Sequence, residues 1–127
     1  MSTSGPAGRR FTIPAPSRAE VGPALAFRIQ ERDGFECVYC GAIGVTFEVD
    51  HVRARAHFPA SAPVSAVNSP RNLVTACTDC NQAKGPHELP GFTKLLRHRG
   101  VPSQVVTDVA RRVRAAVRRR LPSAANS

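Results

Sequence analysis

Apolar residues recur at every fourth position in two stretches of the chain, and this spacing predicts one amphipathic helix near each end. The first helix is expected over residues 22–32, with Pro23 near its start, where a proline is tolerated. A short helix is expected over residues 91–99, where Gly100 ends it. The last helix is expected over residues 101–121, with an apolar stripe of Val105, Val109, Val113, Val117 and Leu121.

The middle of the chain has the period of strands. Residues 45–50 alternate apolar and polar side chains, which is typical of a half-buried strand, and residues 72–77 form a second, apolar strand. The segment 53–71 between them is a long loop, and a loop of this length inside a small domain is usually functional or mobile.

A short helix is expected directly after the second strand. Residues 78–84 leave room for about two turns, with Thr78 or Asp79 as the N-cap, and Gly85 ends the helix. Two strands with one short helix between two longer flanking helices predict a small α+β fold. The length of 127 residues fits one domain.

Charge and composition indicate the kind of partner. Lys and Arg number 18 against 9 Asp and Glu, and the resulting net charge of +9 favours a polyanionic partner, most often nucleic acid. The apolar stretches are far shorter than the ~20 residues of a membrane-spanning helix, so no membrane partner is expected. The first residues lack the apolar core of a secretory signal, which predicts a cytoplasmic, reducing location.

All four cysteines fall in two Cys-x-x-Cys pairs, Cys37 with Cys40 and Cys77 with Cys80. In a reducing location such pairs indicate metal ligands before disulfides. Two pairs complete a tetrahedral, four-sulfur zinc site of the closed, structural kind, and a small, aromatic-poor domain needs such a staple. Two disulfides or buried free thiols are the alternatives.

Three segments of the chain resemble the HNH nuclease family. They are Cys37-Val-Tyr-Cys-Gly41, Glu48-Val-Asp-His-Val52, and the stretch from Ser69 to Gly85 with its Asn-Leu-Val and second cysteine pair. The resemblance covers about residues 30–86, a little under half of the chain. It implies a ββα-metal core, in which a two-stranded hairpin and one helix surround a catalytic metal, here stapled by the four-cysteine zinc site.

The resemblance also implies roles for four side chains. His51, which closes the first strand, is the general base, and Asp50 before it is a ligand of the catalytic metal. Asn72 orients the loop and the base, and Asn81 on the short helix is the second metal ligand. Asparagine instead of histidine at this last position is similar to the HNN variant of the family. A turn residue and a helix-surface amide are the alternatives for the two asparagines.

The implied ligands predict a second metal besides zinc. The carboxylate of Asp50 and the amide oxygen of Asn81 suit Mg²⁺ or Mn²⁺ better than zinc. Phosphodiester hydrolysis needs an activated water, and a histidine with a near-neutral pKa is suited to take its proton. Strict alternation sends Asp50 and His51 to opposite faces of the strand, so both serve one site only if the strand twists or ends there.

The function expected from the sequence is a divalent-metal-dependent HNH endonuclease that hydrolyses DNA phosphodiester bonds and, as the family implies, leaves 5′-phosphate and 3′-hydroxyl ends. The candidate nucleic-acid contacts are basic residues in the loop, on the short helix and at the C-terminus: Arg53, Arg55, Arg71, Lys84, Arg118, Arg119 and Arg120. A solvated lysine and a solvated helix face are the alternatives for Lys84 and for the C-terminal arginines.

The expected organisation has four parts. Residues 1–17 form a flexible arm, 18–90 the HNH nuclease domain with its leading helix, 91–121 the basic C-terminal helices, and 122–127 a tail. A non-catalytic zinc-finger DNA-binding module with the same fold is the rival function. RNA as a substrate stays open, as does membership of a larger nuclease, phage packaging or restriction complex.

Overall fold

The structure is a computed structural model that describes residues 20–123. The predicted arm over residues 1–17 therefore lies outside the described residues, as do residues 124–127 of the predicted tail. None of the described helices is both long and apolar enough to cross a bilayer. The elements, in chain order, are α1 (Pro23–Arg32), β1 (Phe47–His51), α2 (Val64–Val67), β2 (Leu73–Cys77), α3 (Thr78–Lys84), α4 (Leu89–His98) and α5 (Ser103–Arg118).

An antiparallel hairpin of β1 and β2 lies at the centre of the fold, with Phe47 opposite Cys77 and His51 opposite Leu73. All five residues of β2 are buried, because α1, α3 and α5 pack against this strand. Helix α3 follows β2 without a linker and also contacts β1. Two strands and one helix thus form a ββα unit, and the predicted α+β fold with this core is confirmed.

A buried ion pair fastens α1 to the hairpin. The guanidinium of Arg32 lies 2.8 Å from the Asp33 carboxylate and also donates to the backbone carbonyl of Leu73 at 2.7 Å. Asp33 in turn accepts the backbone N–H of Thr75 at 2.9 Å. Each charge has a partner and hydrogen bonds, which a buried pair requires. The start of β2 is therefore held in place by side chains from the end of α1.

The buried face of α5 differs from the predicted stripe. Val106, Val109, Val113 and Ala116 are buried, whereas Val105 is 46% exposed. A strict four-residue spacing advances about 40° beyond a full turn at each step, so one helix face follows alternating steps of three and four. The helix also ends at Arg118 instead of residue 121, and α4 begins earlier than predicted, with its proline in the first turn.

Candidate functional site

The four cysteine sulfurs form one cluster, with all Sγ atoms within 4.8 Å of one another. Cys37 and Cys40 come from the turn before β1, and Cys77 and Cys80 from the junction of β2 and α3. The Sγ atoms of Cys40 and Cys77 are 3.8 Å apart. A zinc ion bonded to four thiolates at ~2.3 Å separates its sulfurs by about that distance, so the cluster fits a tetrahedral zinc.

The pKa values of the thiols in the cluster shift in opposite directions. The thiol of Cys80 hydrogen-bonds to Cys37 and lowers the pKa of Cys37 to about 4, while burial raises the pKa of Cys40. A thiolate is the form that binds metal.

Cys77 is also the N-cap of α3, since its sulfur accepts the backbone N–H of Cys80. The prediction of Thr78 or Asp79 as the cap is wrong, because the metal-ligand turn itself closes the helix end.

Asp50 lies buried between the cysteine cluster and the far end of α3. Its Oδ2 atom accepts the Tyr39 hydroxyl at 2.5 Å and lies 3.1 Å from the ammonium of Lys84. Burial raises the pKa of Asp50, against the effects of the Tyr39 hydrogen bond and the Lys84 charge. Burial and the nearby carboxylate also raise the pKa of Tyr39 well above its ordinary value, so its hydroxyl stays a donor. The other oxygen, Oδ1, takes no part in these contacts.

Asn81 reaches the same face of β1 from α3. Its Nδ2 donates to the carboxylate of Glu48, which also accepts the Thr78 hydroxyl at 3.4 Å. Glu48 and Asp50 are two residues apart in the strand and share a face, as Asn81 and Lys84 do on the helix. Asp50 and Asn81 therefore both lie where α3 packs against β1, and a carboxylate and an amide oxygen are ligand types that suit a hard divalent cation.

His51 points to the other face of the strand. Its Nε2 lies 2.7 Å from Oδ1 of Asn68, and Nδ2 of Asn68 donates to the backbone carbonyl of Glu20 at 3.3 Å. Because the amide oxygen of Asn68 can only accept, Nε2 of a neutral His51 ring carries the proton, and Nδ1 is the acceptor. His51 opens onto a cavity of about 370 Å³ whose other lining residues are Glu20, Val21, Ala26, Val49 and Arg55.

Asn72 closes the long loop between the strands. Its side chain accepts the backbone N–H of Arg53 at 2.8 Å and donates to the carbonyl of Arg53 at 3.1 Å and of Val67 at 2.9 Å. Its own carbonyl accepts the N–H of Val52 at 2.8 Å. Asn72 therefore fixes the loop ends, while the ring of His51 is held by Asn68 instead.

The structure divides three of the four implied residues between the two faces of the hairpin, and the fourth, Asn72, lies in the turn before β2. Asp50 and Asn81 lie on the α3 side, whereas His51 lies on the side of the α1 cavity. The strand ends at His51, so the two faces meet directly beyond that residue. The alternation expected from the sequence is thus present, and Asp50 is buried whereas His51 is partly exposed.

The position of Lys84 contradicts its predicted role as a nucleic-acid contact. Its side chain is 0% exposed, and its ammonium contacts the Asp50 carboxylate and donates to the backbone carbonyl of His51 at 2.9 Å. It is therefore neither a DNA phosphate contact nor a solvated lysine, because both contacts of its ammonium lie inside the fold. The positive charge compensates a buried carboxylate at the core of the site.

The candidate basic residues fall into two groups. Arg53 stacks 4.6 Å from the centre of the Phe58 ring and lies 3.7 Å from Glu88, so it braces the loop, and Arg55 lines the His51 cavity. The remaining four line a separate cavity of about 500 Å³ where the end of α5 meets the turn before β2: Arg71, Arg118, Arg119 and Arg120. We call this cavity the arginine groove.

Three further side chains belong to the site, although the sequence pattern predicted no role for them. Tyr39, Glu48 and Asn68 each hydrogen-bond to one of the implied residues. Tyr39 and Glu48 lie inside the segments that carry the resemblance, so their position was a usable signal. Asn68 lies in the loop, and only the folded loop shows that it meets His51.

A known protein family matches the segment that contains the cysteine pairs and the hairpin. The sequence model of the HNH endonuclease family matches residues 37–87, which confirms the resemblance noted in the sequence. This range contains both cysteine pairs, the hairpin and α3.

Two curated proteins share part of this sequence. Protein ea31 of Escherichia phage lambda is 39% identical over 51 residues, which are 40% of this chain and 16% of that protein. The CRISPR-associated endonuclease Cas9 of Corynebacterium diphtheriae is 36% identical over 73 residues, covering 55% of this chain and 6% of that protein. The chain thus spans only a small part of the length of these relatives.

Among solved structures, the chain is similar to the crystal structure of the Type II-C Cas9 enzyme from Actinomyces naeslundii. The match has 22% sequence identity and a TM-score of 0.39, and it covers 75% of this chain and 12% of that chain.

Proposed function

Because residues 37–87 of this chain match the sequence model of the HNH endonuclease family, we propose that the protein is a divalent-metal-dependent endonuclease that hydrolyses DNA phosphodiester bonds. One observation carries the proposal. Asn81 and Lys84 of α3 reach Glu48 and Asp50 of β1, so both implied metal ligands lie where α3 packs against the strand that ends at His51.

His51 is the general base of the proposed reaction. Its Nε2–H is held by Asn68, so Nδ1 accepts the proton of the attacking water. We place the scissile phosphate beyond the end of β1, where the His51 face and the Asp50 face meet. Asn72 keeps this end of the hairpin in place, because it ties both ends of the loop together.

Asp50 and Asn81 are the residues that would hold Mg²⁺ or Mn²⁺. When bound, such a cation supplies Lewis-acid stabilisation of the charge that develops on the phosphate oxygens. Cys37, Cys40, Cys77 and Cys80 would hold zinc, which has a structural role because all four ligands come from the protein.

Nucleic acid as the substrate is supported by charge. The net charge is +9, and the arginine groove collects Arg71 and the C-terminal arginines in one concave surface. The two curated relatives carry the matching segment within much longer proteins, which supports a role as a module of a larger nuclease or packaging complex.

The test is cleavage of supercoiled plasmid by zinc-loaded protein with Mg²⁺, Mn²⁺, Ni²⁺ or EDTA. We expect cleavage with a divalent cation, none with EDTA, and none with a His51→Ala control. Labelled DNA and RNA strands of the same sequence identify the substrate class. Binding to DNA without cleavage under every metal condition would favour the rival function, a non-catalytic zinc-finger module.

A further inference from the structure

Two side chains hold the same oxygen of Asp50, and each comes from one half of the cysteine cluster. Tyr39, which donates its hydroxyl to Oδ2, lies between Cys37 and Cys40. Lys84, whose ammonium is 3.1 Å from Oδ2, lies one helical turn after Cys80 on α3. The two contacts leave Oδ1 as the oxygen of Asp50 that can bind a cation.

The position of the Tyr39 hydroxyl is fixed from several directions. The side chain is only 1% exposed, and its ring meets Phe92 of α4 edge-on at 5.4 Å. Arg112 of α5 donates to the carbonyls of both Val38 and Tyr39, and the Val38 N–H donates to Thr75 of β2 at 2.9 Å. The turn that carries the first cysteine pair therefore cannot shift without moving the tyrosine.

We propose that Tyr39 is a positioning residue for the catalytic metal site, which transmits the order of the zinc cluster to the Asp50 carboxylate. This inference rests on the proposed function, in which Asp50 is a metal ligand. A hydrogen bond to one oxygen of a carboxylate fixes the rotation of the group and the direction of the other oxygen. Tyr39 adds no positive charge, so it orients Asp50 without repelling a divalent cation, whereas Lys84 compensates the carboxylate charge.

The zinc cluster and the catalytic site are thus one mechanical unit. Zinc fixes the turn of the first cysteine pair, the turn fixes Tyr39, and the tyrosine hydroxyl fixes Asp50. A change that removes this hydroxyl should therefore weaken binding of the catalytic metal while zinc stays bound.

Tyr39→Phe tests the proposal, because it keeps the ring against Phe92 and removes only the hydroxyl. Calorimetric titration of the zinc-loaded full chain with Mn²⁺ should give a dissociation constant about 10–100-fold higher than that of the unchanged protein. One equivalent of zinc should be retained. The cleavage rate of Tyr39→Phe should recover at saturating Mn²⁺, because the change affects metal binding and not the general base.

Val38→Ala is the matched control, since it weakens packing in the same turn and Val38 has no side-chain group that could hydrogen-bond to Asp50. Its Mn²⁺ affinity should equal that of the unchanged protein. Equal affinity in Tyr39→Phe and the unchanged protein would overturn the inference, and so would an equal loss in both variants. If the unchanged protein binds no Mn²⁺, Asp50 is not a ligand and the inference falls with it. If only Tyr39→Phe loses Mn²⁺ affinity but the unchanged protein does not cleave DNA, the proposed function is wrong and the inference stands.

Discussion

The cysteine cluster and the end of β1 differ in how their side chains are held. The four sulfurs face one another within 4.8 Å and need only a metal to complete them. Asp50, His51 and Asn81, in contrast, each hydrogen-bond to a residue outside the implied catalytic set. In a closed site the ligands and the metal hold one another in position. An open site must keep room for substrate, so its ligands depend on hydrogen bonds from neighbouring residues.

Removing a cysteine should have the largest effect. Cys77→Ser should lose zinc and the folded state together, because zinc binding to such sites contributes about 10–16 kcal/mol, which matches or exceeds the stability of a small domain. Zinc stoichiometry and circular dichroism measure the two losses. A folded, zinc-free Cys77→Ser protein would contradict a structural role for the cluster.

Removing His51, the proposed general base, should strongly lower the cleavage rate and leave the fold intact. His51→Ala should lower the cleavage rate by ~10²–10⁴-fold, the usual cost of losing a general base. Zinc content and DNA affinity, measured on the same preparation, should match those of the unchanged protein. Turnover close to that of the unchanged protein would remove His51 from the mechanism.

Changing a ligand of the open site should weaken only the exchangeable metal. Asn81→Ala should raise the Mn²⁺ dissociation constant by at least the roughly 10–100-fold that loss of a ligand's hydrogen-bond partner costs. Asp50→Asn is the better companion than Asp50→Ala, because its amide oxygen can still accept hydrogen bonds from Tyr39 and Lys84, whereas alanine leaves both buried donors without this partner. Zinc should remain bound in both variants, and unchanged Mn²⁺ affinity in both would place the site elsewhere.

The arginine groove should contribute affinity without sequence preference. Replacing Arg71, Arg118 and Arg120 with Gln should weaken binding to every DNA sequence alike and make the salt dependence shallower by about 2–3 in slope. Arg119 is kept, because it lies 3.4 Å from the buried Asp33.

A variant with the same charge change elsewhere is the control for the groove. Arg97, Arg99 and Arg114 are exposed outside it, and their replacement by Gln should change DNA binding less. Equal effects of the two triple variants, measured by fluorescence anisotropy over a salt series, would assign the affinity to net charge alone.

The smallest effect should come from the partner of the base. Asn68→Ala removes one hydrogen bond from His51, worth about 1 kcal/mol or roughly a fivefold lower cleavage rate. Asn68→Asp keeps an acceptor at Nε2 and should restore most of the rate. A rate unaffected by Asn68→Ala would mean that the ring is held by other contacts.

The local pattern was sufficient for most of the fold. The hairpin and α3 follow from alternation, cysteine spacing and the glycine stop, all of which are encoded within a few residues. The α5 stripe was predicted one position out of phase at Val105, because a four-residue spacing only approximates the helical period.

The candidate site was predictable in its residues but not in their partners. His51, Asp50, Asn72 and Asn81 follow from the family resemblance. The burial of Lys84 does not, because a lysine near a helix end is usually exposed, and only the contact with Asp50, 34 positions earlier in the sequence, explains it. Such long-range pairs depend on how α3 lies against β1, which no local spacing encodes.

Helix α3 and the loop between the strands should tolerate changes in length very differently. Cys80 and Asn81 are adjacent on one helix, so a single inserted residue between them would rotate Asn81 and Lys84 by about 100° and take both away from β1. The loop ends are tied together by Asn72, so residues gained or lost near its middle leave the strand ends in register. Insertions and deletions should therefore accumulate in the loop and be absent from the helix, which makes the loop the place to fuse a second domain.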